Sequence, residues 1–241
     1  MRQSIHAEGM SMTVTGPDTT CVDQDIFGGK RLYSVGELLA DGIVHAIAIA
    51  AGFIAFGVLF SRIAARGALA DGVAIAIYAA GFFMMFGFSC AYNMAPRSQL
   101  KALLRRFDQA AIYIMIAGTY TAMLSQLRDH AWAWALLSVC WIGALLGSSM
   151  MLLMRAPSDR LAIPLYLLLG WVVIFAIGPI TTSMPATTLT LTVIGGLIYS
   201  GGIFFYRWHS LKFQNAIWHC FVATAAGCHF AGIAYAIDRT I

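Results

Sequence analysis

The chain has 241 residues, 60% of them hydrophobic and 11% charged, with a mean hydropathy of +0.77 and a formal net charge of +4. Soluble domains average about 25% charged residues, so this composition excludes a soluble enzyme, and the positive charges lie between apolar runs rather than in a nucleic-acid-binding patch. Five cysteines (Cys21, Cys90, Cys140, Cys220, Cys228), an odd number with no CxxC pair, exclude a disulfide framework or a zinc ribbon.

Residues 1–31 are polar, contain Gly16, Pro17, Gly28 and Gly29, and have no apolar core of the kind found in an export signal. They are expected to form a flexible tail ahead of a membrane domain at 32–241. Apolar runs follow at 38–60, 71–94, 109–127, 131–154, 161–180, 185–206 and 216–237. Each is of the order of the 20 residues that cross a bilayer as a helix. The expected fold is therefore all-α, a seven-helix transmembrane bundle.

Seven spans put the termini on opposite sides of the membrane, and Lys and Arg decide which side is cytoplasmic. One side collects Arg2, Lys30, Arg31, Arg97, Lys101, Arg105, Arg106, Arg155, Arg160, Arg207 and Lys212; the other collects Arg62, Arg66, Arg128 and Arg239. Eleven against four places the N-terminus in the cytoplasm and the C-terminus outside, the reverse of a G-protein-coupled receptor. Trp132, Trp134 and Trp208 fall near span ends, where interfacial aromatics collect. In the sixth span, Gly196 and Ser200 form a small-xxx-small pair suited to close packing.

An ionisable side chain at mid-membrane costs roughly 2.5–3.5 kcal/mol on insertion scales, so each one in a span needs a reason. In the first span Glu37, Asp41 and His45 are spaced four apart and drift only about 80° around a helix, forming one stripe. Glu37 has a local reason, because Ser34-Val-Gly-Glu37 matches a capping box; Asp41 and His45 have none. The second span ends with Ser89 and Asn93. Asp108 opens the third span, and a carboxylate at a helix N-terminus is favourable in itself. Asn215 and His219 open the seventh, with His229 about 15 Å further along at 1.5 Å per residue. In this topology Asp41, Ser89, Asn93, Asp108, Asn215 and His219 share a level near the inner leaflet, while His45 and His229 lie deeper. Four helices thus bring polar groups to one layer, which a hydrogen-bonded pocket, water or a metal would suit.

Four stretches carry a resemblance: YSVGELLADGIVHAIA (33–48), FSCAYNMAP with LLRRFDQAAIYIMIAGTYT (88–121), IYSGGIFFYRW (198–208) and NAIWHCFVATAAGCHFAGI (215–233). The chain resembles the hemolysin III family, the bacterial branch of the progestin and adiponectin receptor superfamily. The resemblance implies a zinc site near the inner leaflet, similar to that of membrane-embedded zinc amidases. In that pattern a Ser-x-x-x-His ends span two and supplies one ligand. A His-x-x-x-His at the start of span seven supplies two, and an aspartate on span three supports a metal-bound water. Here Ser89, Asp108 and His219 match, whereas Asn93 and Asn215 stand where histidines are expected. Zinc prefers imidazole and thiolate, and an amide oxygen suits harder ions.

The set therefore reads as a degenerate zinc site whose amides can hydrogen-bond to one another instead. Three functions follow. The first is an integral protein of the bacterial inner membrane that senses or adjusts lipid composition without hydrolysis. The second is a metal-dependent lipid amide or ester hydrolase, with Asp108 and Ser89 as its catalytic groups and zinc at His219, Asn93 and Asn215. The third is the cytolytic, pore-forming activity in the family's name. The partners expected are membrane lipids, with no nucleic acid.

Overall fold

A computed structural model describes residues 33–96, 98–154 and 159–240; the tail expected at 1–31 lies outside these. The described residues form eight α-helices in order: α1 (Val35–Ala65), α2 (Leu69–Met94), α3 (Gln99–Leu124), α4 (His130–Leu153), α5 (Asp159–Gly170), α6 (Ile177–Ser183), α7 (Ala186–Arg207) and α8 (Gln214–Thr240). No strand occurs among the described residues. Among the described residues, six segments are long and apolar enough to cross a membrane: α1, α2, α4, the stretch Asp159–Ser183, α7 and α8. The architecture is an all-α bundle of multiple spans.

The seventh long helix, α3, falls short of that apolarity although it has 26 residues. It packs against α2, α4, α5 and α8, and shares its largest interface with α2. A helix shielded from lipid by its neighbours can carry Gln109, Tyr113, Thr119, Tyr120 and Thr121 where an outer helix carries leucine. The outer surface is apolar instead: Phe53, Ile54, Leu145, Leu146, Phe175 and Phe204 are all exposed. The α2–α3 seam is close because Gly81 and Gly118 face it. A Cβ on Gly81 would stand 3.0 Å from the Met115 Cα, and one on Gly118 3.1 Å from the Ile77 carbonyl oxygen.

Local signals set the helix ends. Ser34 and Glu37 form the capping box expected at the start of α1. At its end Gly67 takes φ +68, with Gly67 N–H donating to the Ala64 carbonyl and Ala68 N–H to that of Ile63. This is a Schellman stop, whose left-handed residue is most cheaply glycine. The start of α3 corrects the sequence expectation. Residues 99–108 belong to the helix, capped by Ser98 accepting from Lys101 N–H, rather than to a basic loop. An apolar-run criterion stops at Lys101, Arg105 and Arg106, yet Leu100, Leu103, Leu104 and Phe107 continue the helical spacing. Asp108 therefore sits well inside α3, and the expectation that it opens a helix does not hold.

The fifth crossing is interrupted at Gly170–Trp171 by a 3₁₀ turn, Val172–Ala176. Its cause is the Tyr120 hydroxyl of α3, which donates to the Gly170 carbonyl (2.8 Å) and accepts from Val173 N–H (3.0 Å). Ile174 N–H, which would otherwise return to Gly170, bonds the Trp171 carbonyl. A side chain inserted into the ladder is a recognised cause of such breaks. Trp171 then turns toward α7, donating its indole N–H to Ser200 Oγ (3.1 Å) and packing over Gly196. The small-xxx-small pair accommodates an indole ring here.

Helices α1 and α8 lie side by side and parallel, joined at both ends. At one end Glu37 Oε1 accepts from Phe213 N–H (2.9 Å), and the Tyr33 hydroxyl donates to Gln214 Oε1 (3.1 Å). Phe213, at φ 57, makes the left-handed turn into α8. At the other end Arg62 and Arg66 pair with Asp238 (2.9 and 3.4 Å).

Candidate functional site

On α1 the buried residues recur every three or four positions: Glu37, Asp41, His45, Ala48, Gly52 and Phe56. This stripe faces α2 and α8, and it carries Asp41 and His45 to the ends of those helices. Asp41 is 1% exposed and His45 fully buried. Opposite them stand Ser89 and Asn93 on the last turns of α2, and Asn215 and His219 on the first turns of α8.

The side chains form one hydrogen-bonded group. His219 Nδ1 lies 2.5 Å from Asp41 Oδ1, and its Nε2 lies 3.1 Å from Ser89 Oγ. A carboxylate only accepts, so Nδ1 carries the proton and Ser89 donates to Nε2. Asn215 Nδ2 donates both to Asp41 Oδ2 (3.1 Å) and to Asn93 Oδ1 (2.8 Å). Asn93 Nδ2 in turn donates to the Ser89 carbonyl (2.9 Å) and to its hydroxyl (3.3 Å). His45 Nδ1 donates to the Asp41 carbonyl (2.8 Å), and its ring stands edge-on to that of His219 at 4.3 Å between centroids.

Of the six residues expected at one layer, Asp41, Ser89, Asn93, Asn215 and His219 are joined in this group, and the group gains a member. His45 was expected deeper, with His229. Helical side chains tilt toward the N-terminus, so the ring folds back one turn to the level of Asp41. His229 is elsewhere: its Nε2 bonds the Thr192 carbonyl (3.1 Å) at the α7–α8 seam, beside Tyr199 and against Gly195. Glu37 is likewise not part of the group, since its carboxylate closes the capping box and holds Phe213 N–H.

A second polar cluster was not foreseen. Asp159, at the start of α5, accepts from Gln109 Nε2 (2.7 Å), the Tyr206 hydroxyl (2.7 Å) and Arg105 (3.4 Å). Asp108 acts electrostatically on Tyr92, Tyr166 and Tyr206, the same three tyrosines that Asp159 acts on. Four polar residues from α3, α5 and α7 at one end of the bundle were the available signal. Asp159 falls between the apolar runs 131–154 and 161–180, where a carboxylate draws no notice.

Among the described residues, the one group of three or more His, Cys, Asp or Glu side chains that could hold a metal is Asp41, His45 and His219. One potential ligand atom from each lies within 4.8 Å of the others. The zinc set implied by the resemblance does not fit this chain. Asn93 and Asn215 spend their amides on each other, on Ser89 and on Asp41, and a third histidine is missing. The site is incomplete as a zinc hydrolase centre of that type.

A buried polar group of aspartate, histidine, serine and asparagine, held between the first, second and last long helices of an all-α bundle, defines a polytopic membrane protein with a degenerate metal-binding site. Residues 37–230 match the model of the family described as Haemolysin-III related, and the chain belongs to that family. It is 29% identical over 196 residues to Hemolysin-3 of Bacillus cereus, covering 81% of this chain and 90% of that protein. Against the Hemolysin-3 homolog of Bacillus subtilis it is 29% identical over 199 residues, covering 83% and 93%. It is also 30% identical over 164 residues to the human monocyte to macrophage differentiation factor, covering 65% and 67%.

Proposed function

We propose that this protein works in the bacterial inner membrane, N-terminus in the cytoplasm, where it senses or adjusts lipid composition without hydrolysing lipid. The observation that carries this reading is the ligand set: amides occupy two of the three ligand positions and are hydrogen-bonded to each other, to Ser89 and to Asp41. A hydrolase of the type the resemblance implies needs a three-ligand metal and Asp108 to orient its water.

An apolar groove supports a lipid as the ligand. It holds about 390 Å³ between α1 and α8, lined by Ala48, Gly52, Phe56, Ala223, Gly227 and Phe230 among others. Its walls include Val44 and Cys220, the chain neighbours of His45 and His219. An acyl chain in the groove would bring its head toward the polar group, an arrangement typical of small-molecule sites with apolar walls and a few polar contacts. The distribution of Lys and Arg supports the orientation.

The test compares membrane lipid profiles of a deletion strain, the same strain expressing wild-type protein, and the same strain expressing Asp108→Ala. Deletion should change the profile, and both proteins should restore it. An Asp108→Ala protein present at wild-type level that behaves like the deletion would overturn the non-hydrolytic reading.

A further inference from the structure

We propose that Ser89, His219 and Asp41 form a serine acyl-transfer site, which moves an acyl chain from an ester-linked phospholipid to the hydroxyl of a second lipid. This rests on the reading above, that lipid composition is adjusted without hydrolysis, and gives that reading a reaction.

The first observation is a relay of three buried side chains from three helices. Ser89 Oγ lies 3.1 Å from His219 Nε2, and His219 Nδ1 lies 2.5 Å from Asp41 Oδ1. A nucleophile, a base and a carboxylate that fixes the base's tautomer are recognised by this geometry on any fold. The carboxylate keeps the ring proton on Nδ1, so Nε2 is free to take the one on Oγ. The asparagines that unmake the zinc set complete this one. Asn215 holds Asp41 through Oδ2, which leaves Oδ1 for His219. Asn93 Nδ2 stands 3.3 Å from Ser89 Oγ, within reach of the oxygen that becomes negative when Oγ attacks a carbonyl.

The second observation is independent, and it is where the relay stands relative to the apolar groove. The groove is lined by Ala48 and Gly52 on α1, Phe82 on α2, and Ala223 and Gly227 on α8. At one end each helix continues this lining with a member of the relay. Asp41 precedes Ala48, His219 precedes Ala223, and Ser89 follows Phe82 by seven residues on the same helix face. At 1.5 Å per residue Ser89 stands about 10 Å beyond Phe82. An acyl chain lying in the groove with its ester at this end meets Oγ. The walls are apolar and include Ile47, which is exposed on the outer surface, so the groove admits molecules from the bilayer. The second nucleophile to arrive is therefore a lipid hydroxyl and not water.

In the first half of the reaction Ser89 Oγ bonds to the ester carbonyl carbon while its proton passes to His219 Nε2. The ester C–O bond then breaks, and the lysolipid oxygen leaves with that proton. In the second half the acceptor's hydroxyl proton passes to Nε2 as its oxygen bonds to the acyl carbon. Ser89 Oγ leaves and takes the proton back. No step consumes water or changes an oxidation state.

The test uses full-length protein in nanodiscs of phosphatidylglycerol with deuterated acyl chains, mixed with unlabelled lysophosphatidylglycerol. One readout is the mass of the protein after exposure to an alkyl fluorophosphonate, which esterifies an activated serine with loss of fluoride. The other is the mass spectrum of the lipids. Wild type should take close to one equivalent of label at Ser89 and pass deuterated chains to the unlabelled lipid, with or without chelator. Ser89→Ala should do neither. His219→Gln and Asp41→Asn should each slow both by about 100-fold or more, and His229→Ala should match wild type. Circular dichroism establishes that each variant is folded; should His219→Gln not fold, Asp41→Asn carries the same expectation. Label at Ser89 under a tenth of an equivalent, labelling without transfer, or a folded Ser89→Ala that transfers like wild type overturns the proposal and leaves the non-hydrolytic reading standing. Free deuterated fatty acid in place of transfer, lost in Ser89→Ala, overturns both.

Discussion

Replacing Tyr120 by phenylalanine deletes one oxygen and leaves a buried ring in place, so no large cavity forms. The hydroxyl bonds two backbone groups at once, the Gly170 carbonyl and Val173 N–H. The helical donor that would replace it at the Gly170 carbonyl, Ile174 N–H, is committed to the Trp171 carbonyl. Hydrogen bonds within membrane proteins contribute about 0.6 kcal/mol on average and up to about 1.7, while an orphaned buried group costs about 1–3 kcal/mol. Two such losses predict a destabilisation of about 1–3 kcal/mol for Tyr120→Phe. Unfolding in mixed micelles by SDS titration, followed by tryptophan fluorescence, measures it; Trp171 stands at the break and reports on it locally. The control is Thr119→Val, which loses only a bond to its own helix at the Met115 carbonyl. If Tyr120→Phe matches wild type within about 0.3 kcal/mol, below the average membrane hydrogen bond, the hydroxyl is not what interrupts the fifth crossing.

Other outcomes follow from the same geometry. Glu37→Ala removes the capping box and the tie to Phe213 N–H, and should cost about 1–3 kcal/mol in the same titration. Gly118→Ala should destabilise by about 1–3 kcal/mol through overpacking against Ile77 and Tyr78, whereas Gly57→Ala, with open space around it, should be neutral or slightly stabilising. Alkaline phosphatase fused after residue 241 should be active and green fluorescent protein at the same place dark; the opposite pair would reverse the proposed orientation. Purified protein added to dye-loaded liposomes should cause no leakage above the detergent control, and leakage would put the cytolytic reading ahead of the other two.

Much of the bundle was legible because apolar runs of membrane length are hard to mistake, and α3 shows where that signal ends. Its basic first turns and its shielded, polar middle both depress hydropathy, so its start was placed ten residues late and Asp108 was given a terminal role. The polar group was legible through spacing: Ser89 with Asn93, Asn215 with His219, and Asp41 with His45 each share a helix face. The level of His45 was not, because counting rise per residue locates a Cα, and a long side chain spans a turn. Tyr120 carried no signal at all, since its partners are backbone atoms fifty residues away. Asp159 was hidden by position: at a helix start it reads as ordinary, until Gln109 and Tyr206 are seen to converge on it.

The fastening of α1 to α8 bears on biogenesis. Asp41 and His45 leave the ribosome early, while their partners Asn215 and His219 are made after five further crossings. During synthesis the first helix must enter the bilayer carrying an aspartate without its eventual company, a burden of at most roughly 2.5–3.5 kcal/mol, the mid-bilayer value. A product truncated before residue 214 would keep that burden permanently. Quality-control proteases should therefore clear it, and assembly completes only when the last segment docks beside the first.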